Sequence, residues 1–114
     1  MSFLSFLGTI WELIQAAWAW IKKIFLRVIS FFRNIVQFFK ERGRLQKIQQ
    51  NKKILATSIK QNLEDGNVNV INCLFDTERG DLVDEEIDAQ IMRAEDMDAE
   101  TRKNFGNKDM IVLK

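Results

Sequence analysis

FLSFLGTIWELIQAAWAWIKKIFLRVISFFRNIVQFF, residues 3–39, is the stretch whose reading decides the fold. It holds no proline, and its one glycine is Gly8. When each residue advances about 100°, Phe3, Phe6, Leu7, Ile10, Leu13, Ile14, Trp18, Ile21, Ile24, Phe25, Val28, Ile29, Phe32, Ile35, Val36 and Phe39 gather on one side. Gln15, Lys22, Lys23, Arg27, Ser30, Arg33, Asn34, Gln37 and Lys40 gather on the other. Only Leu4 and Leu26 fall clearly out of phase. The period predicts a mainly α fold led by one long amphipathic helix over residues 1–42, either lying on a membrane or inserted in it.

An aromatic, apolar face backed by cations is the pattern of a helix at a lipid interface. Trp11, Trp18 and Trp20 suit that setting, since an indole buries its body and keeps its N–H near headgroups. Phe3, Phe6, Phe25, Phe32 and Phe39 would supply insertion, and Lys22, Lys23, Arg27, Arg33 and Lys40 would hold anionic headgroups. Phe3 to Ile21 is about long enough to span a bilayer before Lys22 and Lys23, although Glu12 sits near its midpoint. A spanning and an in-plane helix both remain open on this reading. The alternative burial of the same stripe is a helical oligomer core.

Charge divides the chain. Residues 1–63 carry eleven Lys or Arg against Glu12 and Glu41, and residues 64–114 carry fourteen acids against six bases, so the net +1 hides a dipolar molecule. Past Gly43 a second, polar helix is expected from Leu45 to Leu63, with a narrow seam of Leu45, Ile48, Leu55, Ile59 and Leu63 that Lys52 interrupts. Lys40, Arg42, Arg44, Lys47, Lys52, Lys53 and Lys60 make a lesser case for phosphate-backbone contact with nucleic acid. Glu64-Asp65-Gly66-Asn67 signals a turn, which sets segment limits at 43–65 and 66–114.

The last segment reads as a small acidic α+β unit. Val68 to Phe75 is a strand; Asp81 caps a helix through Arg93 that buries Leu82, Val83, Ile87, Ile91 and Ala94. Asp96 or Asp98 opens a short helix ending near Phe105 with Gly106 as its stop. Met110 to Leu113 is a second strand, expected to pair with the first. Asp76-Thr77-Glu78-Arg79-Gly80-Asp81 lacks calcium-loop spacing, since Gly80 stands fifth and Ile87 twelfth from Asp76.

The chain has no histidine and one cysteine, Cys73, so the common zinc sets and histidine-based nucleophile systems cannot be assembled within it. Paired carboxylates such as Asp84 and Asp88 have no evident cleft to serve. No cofactor or metal site is implied. The resulting expectation is a non-enzymatic, membrane-associated small protein of viral or bacterial type. Its N-terminal helix would contact an anionic lipid bilayer, and its acidic C-terminal part, in the cytoplasm, would assemble with itself or recruit a partner protein.

Overall fold

The computed structural model describes residues 3–113, without the side chains of residues 3–6. It corrects the central expectation: the fold is mixed α/β, built on a six-stranded sheet, and residues 3–39 form no continuous helix. Helix α1 covers Phe3–Ala16, a turn follows, and β1 runs Lys22–Ile29. A π-helical turn, Phe31–Val36, leads into α2, Gln37–Lys40. Leu26, out of phase on the helical wheel, lies in phase here. With Ile24 it faces the core from β1, while Phe25 and Arg27 between them are exposed. Alternation of this kind, with β-branched and aromatic residues, belongs to a strand half covered by its neighbours.

The expected polar helix over 45–63 is also corrected. Helix α3 stops at Gln50 (Arg44–Gln50), because Asn51 turns the chain: its side chain accepts from the amide of Lys53 and its carbonyl from the amide of Ile54. Strand β2 then runs Ile54–Asn62. Strand β3 (Val68–Asp76) lies where the apolar run placed it, and every one of its residues is buried. Burial on both faces explains why its apolar residues run on without alternating. Between them the turn at residues 63–67 closes by paired backbone bonds of Leu63 with Asn67 and Gly66, and Gly66 takes a φ of +87° that favours glycine.

The third correction concerns residues 81–93. They form no helix but a two-residue strand β4 (Asp81–Leu82), an acidic excursion over residues 83–88, and the start of β5 (Ala89–Met97). β4 and β5 pair with the same edge of β3, so the excursion bulges from what would be one strand. Helix α4 (Ala99–Phe105) and β6 (Met110–Leu113) occupy the expected positions, but β6 pairs with β2 rather than β3. The strand order is β1-β5-β3-β2-β6, antiparallel except for β1 beside β5. Each of the three sequence segments contributes strands to this sheet.

Two apolar layers hold it. On one face α1 sets Ile10, Ile14 and Ala17 against Ile59, Ile71, Cys73, Phe75 and Ile91. On the other, Phe31, Ile35, Phe38, Phe39 and Phe105 pack on Val70, Leu74, Met92 and Ala94. Ile10, Ile14, Ile29 and Ile35 are each 0% exposed, so much of the proposed lipid-facing stripe is enclosed by protein. Among the described residues no helix is long and apolar enough to cross a membrane. The membrane-binding amphipathic helix is therefore withdrawn.

Several polar groups in the interior find hydrogen-bond partners, while Arg44 Nε and Asp88 Oδ1 face each other without one. Asn72 accepts from the Ser58 hydroxyl (2.6 Å) and donates to the Asn34 carbonyl (3.0 Å). Asp98 caps α4 through the Thr101 amide (2.9 Å) and also accepts from the Thr101 hydroxyl and the Phe31 amide, tying the end of β1 to α4. Burial opposes the charge of Asp98, but these hydrogen bonds outweigh it and hold the carboxyl below its ordinary 3.8. A depressed folded-state value gives stability that is present above the unfolded value and lost as pH falls through the folded one. Wild type is thus expected to lose its advantage over Asp98→Asn as pH falls below 3.8, measured by urea midpoints across the acid range. An advantage that stays constant down to pH 2 would contradict this assignment.

Candidate functional site

Strand β1 is pinned at both ends and open between them. Ile21, 2% exposed, and Ile29 anchor its flanks, and along one side it pairs with β5 from Lys22 opposite Gln90 to Ile29 opposite Met97. No strand covers the other side among the described residues, so alternate residues turn their N–H and C=O out of the sheet edge. Large apolar groups gather here. Trp20 (63% exposed), Phe25 (78%), Val28 (46%) and Phe32 (62%) all fall on this strand or within three residues of it. Trp20 follows the α1 C-terminal turn, and Phe32 stands edge-on to Phe31 with centroids 5.4 Å apart.

The two faces of β1 differ in chemistry. Ile24, Leu26 and Val28 alternate on the face packed by the π-helical turn and α2, whereas Lys23, Phe25 and Arg27 alternate on the face carrying α1. α1 covers only part of that second face, leaving a depression of about 310 Å³ bordered by Phe25, Arg27, Arg93 and Glu95. Lys23 is committed: its ammonium donates to the carbonyls of Trp18 and Ile21 and lies 5.7 Å from the Trp18 ring centroid. Arg93, opposite Phe25 on β5, pairs with Asp65 at 2.6 Å. Asp65 is held below its ordinary value by the amide of Asn67 first and by Arg93 second. Lys22, Arg27 and Arg33 have no ion-pair partner among the described residues.

A second concavity runs beside α1. Trp11 and Trp18 meet edge-on at 6.3 Å; Trp11 with Leu7, Ile59 and Gln61 walls a groove of about 380 Å³, and Trp11, Gln15, Trp18 and Gln61 wall a smaller one of about 240 Å³. It borders the residues of α1 whose side chains are outside the description.

The remaining ionic groups are structural. Arg44, 5% exposed, donates to the carbonyls of Phe38 (2.7 Å) and Ile87 (2.5 Å), and its guanidinium carbon lies 3.7 Å from the Phe38 ring centroid. Its Nε faces Asp88 Oδ1 at 3.3 Å, while Lys47 takes the other oxygen of Asp88. Burial lowers the Arg44 pKa from its usual value, and Asp88 acts against that shift. Cys73 is fully buried beside the Thr57 hydroxyl, and desolvation pushes its thiol up to about 12, too high to supply a thiolate nucleophile at neutral pH.

The residues expected to face lipid are thus dispersed. The side chains of Phe3 and Phe6 lie outside the described residues. Phe39 is in the core, Trp11 and Trp18 are half-buried along the α1 groove, and Lys40 is exposed at the end of α2. Lys22, Lys23, Phe25 and Arg27 fall on β1, with Trp20 in the turn before it and Phe32 and Arg33 in the π-helical turn after it. Val28 was read as part of the apolar helix face, so its place on this edge was missed; the Ile24, Leu26, Val28 alternation was the available signal. The basic residues suggested for phosphate contact are split between the end of α2 (Lys40), the turn after it (Arg42), α3 (Arg44, Lys47), the Asn51 turn (Lys52, Lys53) and β2 (Lys60), with Arg44 and Lys47 engaged by Asp88. Comparisons with protein-family models, curated proteins and solved structures return no match.

Proposed function

We propose that this protein is a non-enzymatic interaction module that docks a partner chain along the open edge of β1. The observation that carries the reading is the concentration of exposed Trp20, Phe25, Val28 and Phe32 on one unpaired sheet edge. Edge strands are ordinarily protected by charge, shortness or a covering segment, because their free N–H and C=O groups template pairing. This one runs eight residues and keeps its charges, but places three large aromatic groups in water beside them. Apolar exposure of that kind, rimmed by polar groups, marks interaction surfaces. A strand added to the edge gains backbone hydrogen bonds for affinity and alternate side-chain contacts for specificity.

Random octapeptides displayed on phage and panned against the folded protein test this. Enriched sequences are expected to lose binding to the Phe25→Asp variant, whose site is exposed enough to leave the fold intact by circular dichroism. Enrichment of peptides indifferent to both Phe25→Asp and Phe32→Asp would overturn the reading.

A further inference from the structure

Resting on the edge-docking reading, we infer that the segment received by β1 is an extended one that alternates aliphatic with acidic residues. The strand itself states the pattern. A new strand pairs face for face with its neighbour, so its side chains continue the two surfaces that β1 already presents. Beside Ile24, Leu26 and the 46% exposed Val28, it would bury apolar groups against an existing apolar layer. Beside Lys23, Phe25 and Arg27, it meets a surface with two cations and a phenyl ring and no acid on the strand. Arg27 has no ion-pair partner among the described residues, and Arg33 just beyond the strand is in the same position. Carboxylates on that face would satisfy Arg27 as bidentate partners, with their methylene stems over Phe25.

The same charges argue against a second copy. Two β1 strands side by side would bring Lys22, Lys23 and Arg27 of one against the same cations of the other, and like charges across a strand pair are destabilising. Single-stranded nucleic acid fits less well, since it has no use for the outward N–H and C=O groups of the edge. It also stacks on successive aromatic rings, and β1 itself offers only Phe25.

Fluorescence anisotropy with three labelled octapeptides tests the inference on the full-length protein. One alternates valine and glutamate, one alternates valine and lysine, and one repeats the first with alternate amides N-methylated. The valine–glutamate peptide is expected to bind at least tenfold tighter than the valine–lysine peptide. Arg27→Glu, at an exposed position, is expected to reverse that order, and N-methylation on the edge facing β1 is expected to abolish binding. Equal affinity for the acidic and basic peptides, with binding of the acidic one lost on N-methylation, would overturn the acidic specification and leave edge docking standing. Undiminished binding of the N-methylated peptide would overturn edge docking itself. Tighter binding of a poly-dT oligonucleotide or of phosphatidylserine vesicles than of the acidic peptide, or dimerisation of the wild-type protein that Phe25→Asp abolishes, would overturn the choice of occupant.

Discussion

Asp88→Ala is expected to lower stability by about 3–5 kcal/mol, the scale seen when one member of a buried ion pair is removed and its partner stays behind. Arg44 is that partner. At 5% exposure it cannot reach water, and with Asp88 gone its Nε has no other acceptor. The carbonyls of Phe38 and Ile87 and the Phe38 ring still hold the guanidinium, but none of them carries a full charge. Lys47 is less affected, because its side chain is 40% exposed and can turn to solvent. The loss would be a large share of the ~5–15 kcal/mol typical of a domain, so urea unfolding should show it directly. The double variant Arg44→Met, Asp88→Leu is expected to recover most of the loss, since a matched apolar pair carries no desolvation penalty. A double variant no better than Asp88→Ala would mean that the excursion over residues 83–88 needs the ionic clamp for its shape and not only charge neutrality.

That clamp also shows where sequence reasoning reached its limit. Asp84 and Asp88 fall at helical spacing and Asp81 is a good N-cap, so a helix over 81–93 is locally consistent. Its stripe would bury Ile87, which is 47% exposed, and leave out Met92, which is 0% exposed. What overrides the local preference is the pairing of β5 with β1 on one side and β3 on the other, contacts that join residues 16 to 68 positions apart and leave no trace in any short window. Of the misfits of the helical readings, Leu26 and Lys52 each mark a place where the helix gives way to a strand or turn, whereas Leu4 lies within α1. Elements settled by local chemistry were legible: the glycine turn at residues 63–67, the doubly buried β3, and α4 between the Asp98 cap and Gly106. The site was half legible. The aromatics and cations of residues 20–33 stand out in the sequence, but their arrangement along a strand edge depends on β5 lying on one side of β1 only.

Phe105→Ala is expected to cost about 3–5 kcal/mol, the range for truncating a buried phenylalanine, and to loosen more than its own helix. α4 has seven residues, too few to hold a helix in water by itself. It stays in place through the Asp98 cap at one end and Phe105, 1% exposed, at the other, with the Lys60 ammonium 5.8 Å from the ring centroid. Removing the ring leaves a void between α4 and the sheet and frees the helix to lift. Lifting takes Asp98 from the Phe31 amide and Thr101 from the Ile29 carbonyl, so the end of β1 loses its tether at the same moment. Hydrogen exchange in Phe105→Ala is therefore expected to raise the Phe31 and Thr101 amide rates together, with Phe105→Leu costing about 1.5 kcal/mol or less. Faster exchange at Thr101 with Phe31 unchanged would show that the exposed edge around Phe25 and Phe32 is held independently of α4.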